Sequence, residues 1–116
     1  MEERRRRERL VSKELLELLV LAVNGKETFV GNLSDISDFG MAILSDFEII
    51  QNQEIGSRIS GIISGPCMDD INFSGVIVRK DKVATSGGMK GIIGVEFHEM
   101  IQLSDRLLAL SLTTSE

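Results

Sequence analysis

Apolar residues fall at alternate positions in several short runs of this chain, the spacing of half-buried strands. Leu18 to Val23 is the first run, and it ends at Asn24-Gly25. That dipeptide is a strong hairpin signal, because both turn positions take a positive φ. Glu27 to Gly31 reads as the returning strand, with Thr28 and Val30 on one side and Phe29 on the other. Gly40 to Leu44 starts a third strand after an Asp-Ile-Ser turn, and Ser57 to Ile63 is a fourth. Ile71 to Arg79 is a fifth, with Ile71, Phe73, Gly75 and Ile77 on one face. Gly91 to Phe97 is a sixth, aligning Ile93, Val95 and Phe97. Near the end, Ser104 is a helix N-cap, Asp105 sits in the first turn, and Leu107, Leu108 and Leu110 form a short apolar helix.

Glu14 to Leu21 carries both patterns. Its Leu and Glu residues favour helix, and Leu15, Leu18 and Leu19 fit an i, i+3, i+4 stripe. The Asn-Gly turn needs a strand partner, so a strand from about Leu18 is preferred, with room for a helical turn between Arg9 and Leu16. Six strands on short turns must hide their edges. Closure into a six-stranded antiparallel β-barrel does so, with the C-terminal helix plugging or flanking one end. A sandwich satisfies the same pattern. Residues 1–12 lack apolar periodicity and read as a flexible basic N-terminal segment, leaving 13–116 as the folded domain.

Composition agrees with this picture. A chain of 116 residues is one domain, and 42% hydrophobic content is enough for a core. Eleven Gly and one Pro suit a turn-rich β fold. Cys67 is the lone cysteine, which suits a reducing cytoplasm and a buried, inert thiol. The apolar run from Leu15 to Val23 is interrupted by Glu17 and is too short for a membrane span or a secretory signal. No membrane insertion is expected.

Charge is uneven. Five Arg and three Glu in residues 1–9 leave that stretch at +2, and the remainder at −7, within a total of −5. An acidic body argues against a nucleic-acid polymer as partner, since phosphate affinity needs a continuous basic surface. A basic tail can still fold over one small anion.

Two short motifs carry candidate chemistry. Arg5-x-x-x-Arg9 lies ahead of the first apolar run, and Asp35-x-Ser37-x-x-Gly40 lies between the second and third strands. Taken alone, each has an ordinary reading. An Arg run at a chain start is usually a solvated tail. Asp and Ser cap turns readily, and Gly40 suits a bulge. Asn32-x-Ser34 imitates the second motif, but position 37 is Ser where it would need Gly. His98 has no second His or partnering Cys for a metal site. Ser86-Gly87-Gly88 lacks the Gly-Lys-Ser/Thr of a phosphate loop and reads as a hairpin loop, and Asp69-Asp70 as a polar turn. A single His leaves no nucleophilic triad, so a non-enzyme is expected.

In combination, the two motifs resemble the PilZ domain family, whose members bind the bacterial second messenger cyclic di-GMP. Gly75-Val76-Ile77-Val78-Arg79 and Gly91-Ile92-Ile93-Gly94-Val95-Glu96-Phe97 resemble that family's last two strands, and the resemblance covers nearly the whole chain. It implies a six-stranded antiparallel barrel and a cytoplasmic receptor that binds cyclic di-GMP without a cofactor. The implied ligand-binding residues are Arg5, Arg9, Asp35, Ser37 and Gly40. The chemistry is suitable. A guanidinium matches guanine O6 and N7 bidentately and stacks on a purine. Asp35 can accept from guanine N1–H and N2–H₂, Ser37 can donate to a phosphate or brace the turn, and Gly40 allows close backbone approach. Such a receptor passes its signal to an effector protein, not identified by the sequence, through a ligand-induced conformational change. The alternative is a ligand-independent PilZ-like adaptor in pilus or motility control. One departure is a long, Leu-rich leader between Arg9 and the first strand.

Overall fold

A computed structural model of the chain describes residues 17–25, 27–65 and 69–99. It is a closed antiparallel barrel of six strands: β1 (Leu19–Asn24), β2 (Glu27–Ile36), β3 (Gly40–Asp46), β4 (Arg58–Ser64), β5 (Ile71–Thr85) and β6 (Gly88–Phe97). The order around the barrel is β1-β2-β3-β6-β5-β4, and β4 returns to pair with β1. Closure gives each strand a neighbour on both sides within the barrel wall, which a sandwich would not do. Among the described residues no helix is long and apolar enough to cross a membrane.

Alternation builds the core. Val20 and Ala22 of β1, Phe29 and Leu33 of β2, Met41 and Ile43 of β3, Ile59 and Ile63 of β4, Phe73 and Ile77 of β5, and Ile93, Val95 and Phe97 of β6 are buried together. Their neighbours in sequence, such as Leu21, Thr28, Val30 and Ser74, are exposed.

Two strands break the period. In β2 the register slips between Leu33, opposite Ile43, and Asp35, opposite Ala42, so Ser34 is an extra residue. Inward positions run Phe29, Gly31, Leu33 before the bulge and resume at Ile36 after it. In β5 the slip falls between Ile77 and Arg79, with Val78 as the extra residue.

The β1–β2 turn is displaced by one residue from the sequence expectation. Asn24 pairs with Glu27 and so belongs to the strand, and Gly25 after it takes φ 63°. Asn24 is held in the strand because its amide is occupied: Nδ2 donates to Gln53 Oε1 at 2.7 Å and to Ser57 Oγ at 3.2 Å. The expected Asp-Ile-Ser turn is also displaced. Asp35 and Ile36 belong to β2, and the turn is Asp38-Phe39.

The sequence pattern did not reveal a short helix, α1 (Phe47–Gln51), that closes the barrel end reached by β3. Ile50 is buried there against β6, where Gly91 leaves room for it. Buried Gln53 follows, donating Nε2 to Ile49 O and Glu27 Oε1 while Lys80 Nζ donates to the carbonyls of Gln51 and Gln53. These bonds satisfy polar groups that the closure removes from water. The helix expected from Ser104 lies outside the described residues. Ile50→Ala should destabilise the protein by about 2–5 kcal/mol, the cost of a cavity under α1, and chemical denaturation would measure it.

Candidate functional site

The Asp35-x-Ser37-x-x-Gly40 motif is the β2–β3 hairpin, at the barrel end opposite α1. Period-two alternation carried on from Phe29, Gly31 and Leu33 would turn Asp35 into the core. The bulge at Ser34 shifts the phase by one, so Ile36 enters the core and Asp35 stays half-exposed.

The turn itself is closed by Ser37. Its N–H donates to Gly40 O at 2.8 Å, and its Oγ accepts from Phe39 N–H at 3.3 Å and reaches Gly40 O at 3.4 Å. Ser37 is only 2% exposed, so its hydroxyl braces the turn from within. Gly40 is buried opposite Glu96, and a Cβ on it would run into the carbonyl oxygen of Val95. Its requirement is thus close approach of β6 backbone. Phe39 O accepts from Phe97 N–H at 2.8 Å, which fastens the turn to the end of β6.

Asp35, Ser37 and Gly40 are therefore brought together in one rigid hairpin. Arg5 and Arg9 lie outside the described residues, as do residues 1–12 and Cys67. The described chain begins beside the motif all the same: Leu33 N–H donates to Leu18 O at 3.1 Å, two positions before Asp35. The chain leaves β6 at the same end, where His98 N–H donates to Ser74 O at 2.9 Å.

Sequence reasoning missed a second polar concavity. Arg58, Ser60, Ser74 and His98, with Val23, Gly25 and Ile59, line a groove of about 410 Å³. His98 Nδ1 lies 3.5 Å from Ser74 Oγ. These residues are far apart in sequence, and only the pairings of Ser60 with Val23 and with Ser74 join them. Among the described residues no group of three or more His, Cys, Asp or Glu could hold a metal ion.

Gly40→Ala should lower the melting temperature without ligand, because the Val95 carbonyl is backbone and cannot yield cheaply; an overpacked site costs about 1–3 kcal/mol. Ser37→Ala should cost about 1 kcal/mol by removing the hydroxyl that accepts from the Phe39 N–H. Thermal melts of the unliganded protein would check both.

The family model of the PilZ domain matches residues 3–113. No curated protein matches the chain. Among solved structures, the PilZ domain of YcgR from Escherichia coli with c-di-GMP is similar over 97% of this chain and 89% of its own, with TM-score 0.59 and 15% identity. MrkH from K. pneumonia in complex with c-di-GMP is similar over 93% of this chain and 49% of its own, with TM-score 0.66 and 14% identity. The Bacillus subtilis inhibitor of motility, MotI, is similar over 90% of this chain and 46% of its own, with TM-score 0.58 and 18% identity. The chain thus spans about half the length of the MotI and MrkH chains.

Proposed function

The chain belongs to the PilZ domain family, and on that footing we propose that it is a bacterial cytoplasmic receptor for cyclic di-GMP. The observation that carries this reading is the rigid Asp35–Gly40 hairpin, standing beside the point where the Arg-bearing segment joins β1. The c-di-GMP named with YcgR and MrkH is consistent with it.

Each part of the hairpin has a distinct task. Asp35 offers a carboxylate to guanine N1–H and N2–H₂. Ser37 and Gly40 hold the turn that presents it, the first by its internal hydrogen bonds and the second by admitting β6. Arg5 and Arg9 supply the positive charge that two phosphodiesters require and the planar donors that match a guanine edge. Ligand bridging the arginines to the barrel would reorient the N-terminal segment, and an effector protein would read that change. No catalytic step or cofactor enters this scheme.

Titration calorimetry with cyclic di-GMP should show saturable binding at micromolar or lower Kd, near −8 kcal/mol. Complete absence of saturable binding at low salt would refute the receptor reading. Arg5→Ala and Arg9→Ala should each weaken binding by about 1–3 kcal/mol, with smaller effects for Arg4→Ala and Arg7→Ala. Four equal losses would mean that the segment acts as diffuse charge. Asp35→Ala should abolish discrimination between cyclic di-GMP and cyclic di-AMP, since adenine lacks the N1–H and N2–H₂ donors; competition binding measures this.

A further inference from the structure

The β5–β6 hairpin outruns the barrel. β5 pairs with β4 only as far as Val76, and Ile77 makes the last backbone bonds on that side, to Gly56 and Ser57. From Arg79 to Thr85, β5 has β6 on one side and, among the described residues, no strand on the other. The closing pair Thr85–Gly88 sets the alternation of the ladder, so the N–H and C=O groups of Lys80, Lys82 and Ala84 face away from β6. An unpaired edge of this kind is a template for another extended chain.

Beside it lies a groove of about 390 Å³, lined by Phe47, Ile50 and Gln51 of α1 and by Lys80, Asp81 and Lys82. The bulge at Val78 brings Lys80 and Lys82 onto this side. The Lys82 ammonium lies 5.7 Å from the Phe47 ring centroid, and Lys80 is held by main-chain carbonyls. The nearby carboxylates have partners of their own: Asp81, which also lines the groove, pairs with Arg79 at 3.2 Å, and Asp46 with Lys90 at 3.0 Å. Residues 78–90 carry Arg79, Lys80, Lys82 and Lys90 against Asp81, a net +3, which leaves the rest of the chain at −8. A basic arm thus projects from an acidic body.

We propose that this edge and groove dock an acidic, extended segment of a partner protein. The segment adds as a strand beside β5, sets an apolar side chain against Phe47, and places carboxylates at Lys80 and Lys82. In a second copy of this chain, antiparallel pairing about Asp81 opposes Asp81 to itself and Lys80 to Lys82, and pairing about Lys82 opposes Lys82 to itself. The same lysines that repel a second copy attract an acidic strand. The apolar wall and the unpaired main chain favour a polypeptide over a nucleic acid.

The test uses the full chain and a capped heptapeptide of alternating Glu and Val, with a Lys-Val peptide and an oligothymidine as comparators. The Glu-Val peptide should bind saturably and slow amide exchange of Lys80, Lys82 and Ala84 by about fivefold or more. Ala84→Pro removes an outward donor without touching a β5–β6 bond, and Lys82→Glu reverses the attraction. Each should weaken binding about tenfold or more. Lys82→Glu carries the test alone if Ala84→Pro lowers the melting temperature. The proposal is overturned by no saturable binding up to millimolar peptide, by protection confined to other strands, or by equal binding of the Lys-Val peptide. Tighter binding of the oligothymidine overturns it too, in favour of a nucleic-acid surface.

Discussion

The phase of β2 governs what the barrel can display. A strand in a closed barrel has one face in the core, and a slip of one residue exchanges the two faces. β2 needs Phe29 and Leu33 inside at one end and Ile36 inside at the other. Those positions differ in parity, so strict alternation cannot satisfy both. The extra residue at Ser34 resolves the conflict locally. It keeps three large apolar side chains buried and leaves the carboxylate of Asp35 outside the core. Without it, either Ile36 would face out or Asp35 would enter an aliphatic interior, where an unpaired carboxylate is costly.

The same device recurs in β5, and the two bulges serve opposite ends of the barrel. The bulge at Ser34 lies beside the entry of β1 and the exit of β6. The bulge at Val78 lies where β5 leaves β4 and approaches α1. There Lys80 exchanges the role of a core residue for that of a donor to the carbonyls of Gln51, at the end of α1, and of Gln53 just beyond it. One barrel end is thus occupied by the motif hairpin and the chain's entry and exit, the other by a helix, a buried Gln53 network and a projecting basic arm. The core between them is aliphatic and continuous.

Much of the fold was legible in the chain, because alternation is a local signal. Phe29, Phe73, Ile77, Ile93, Val95 and Phe97 lie on the inward faces that spacing alone assigns them. What escaped was set by contacts between distant segments. Asn24-Gly25 is a turn signal, yet Asn24 stays in the strand because Gln53 and Ser57 bind its amide. α1 is shorter than two helical turns, too brief for a periodic stripe, and it forms because Ile50 finds the space above Gly91. β5 and β6 extend well past their apolar cores through Lys80 to Thr85 and Gly88 to Lys90, where charged residues hide the strand pattern. At the candidate site, the motif's residue types were readable, but the division of labour within it was not. Burial of Gly40 depends on Val95 and Glu96 of β6, more than fifty residues away in sequence.

That dependence gives the motif glycine its meaning. Gly40 of β3 and Gly75 of β5 lie on either side of the last residues of β6, opposite Glu96 and Phe97. A Cβ on Gly40 would meet the carbonyl oxygen of Val95, and one on Gly75 that of Glu96. Both neighbours thus press directly on the backbone of β6 at this end. The hydrogen bonds Phe97 N–H to Phe39 O and His98 N–H to Ser74 O then tie the turn and the departing chain to the same short stretch. The hairpin that presents Asp35 is therefore not an independent loop. Its position is set by the geometry with which the barrel closes around β6, and a displacement of one must strain the other.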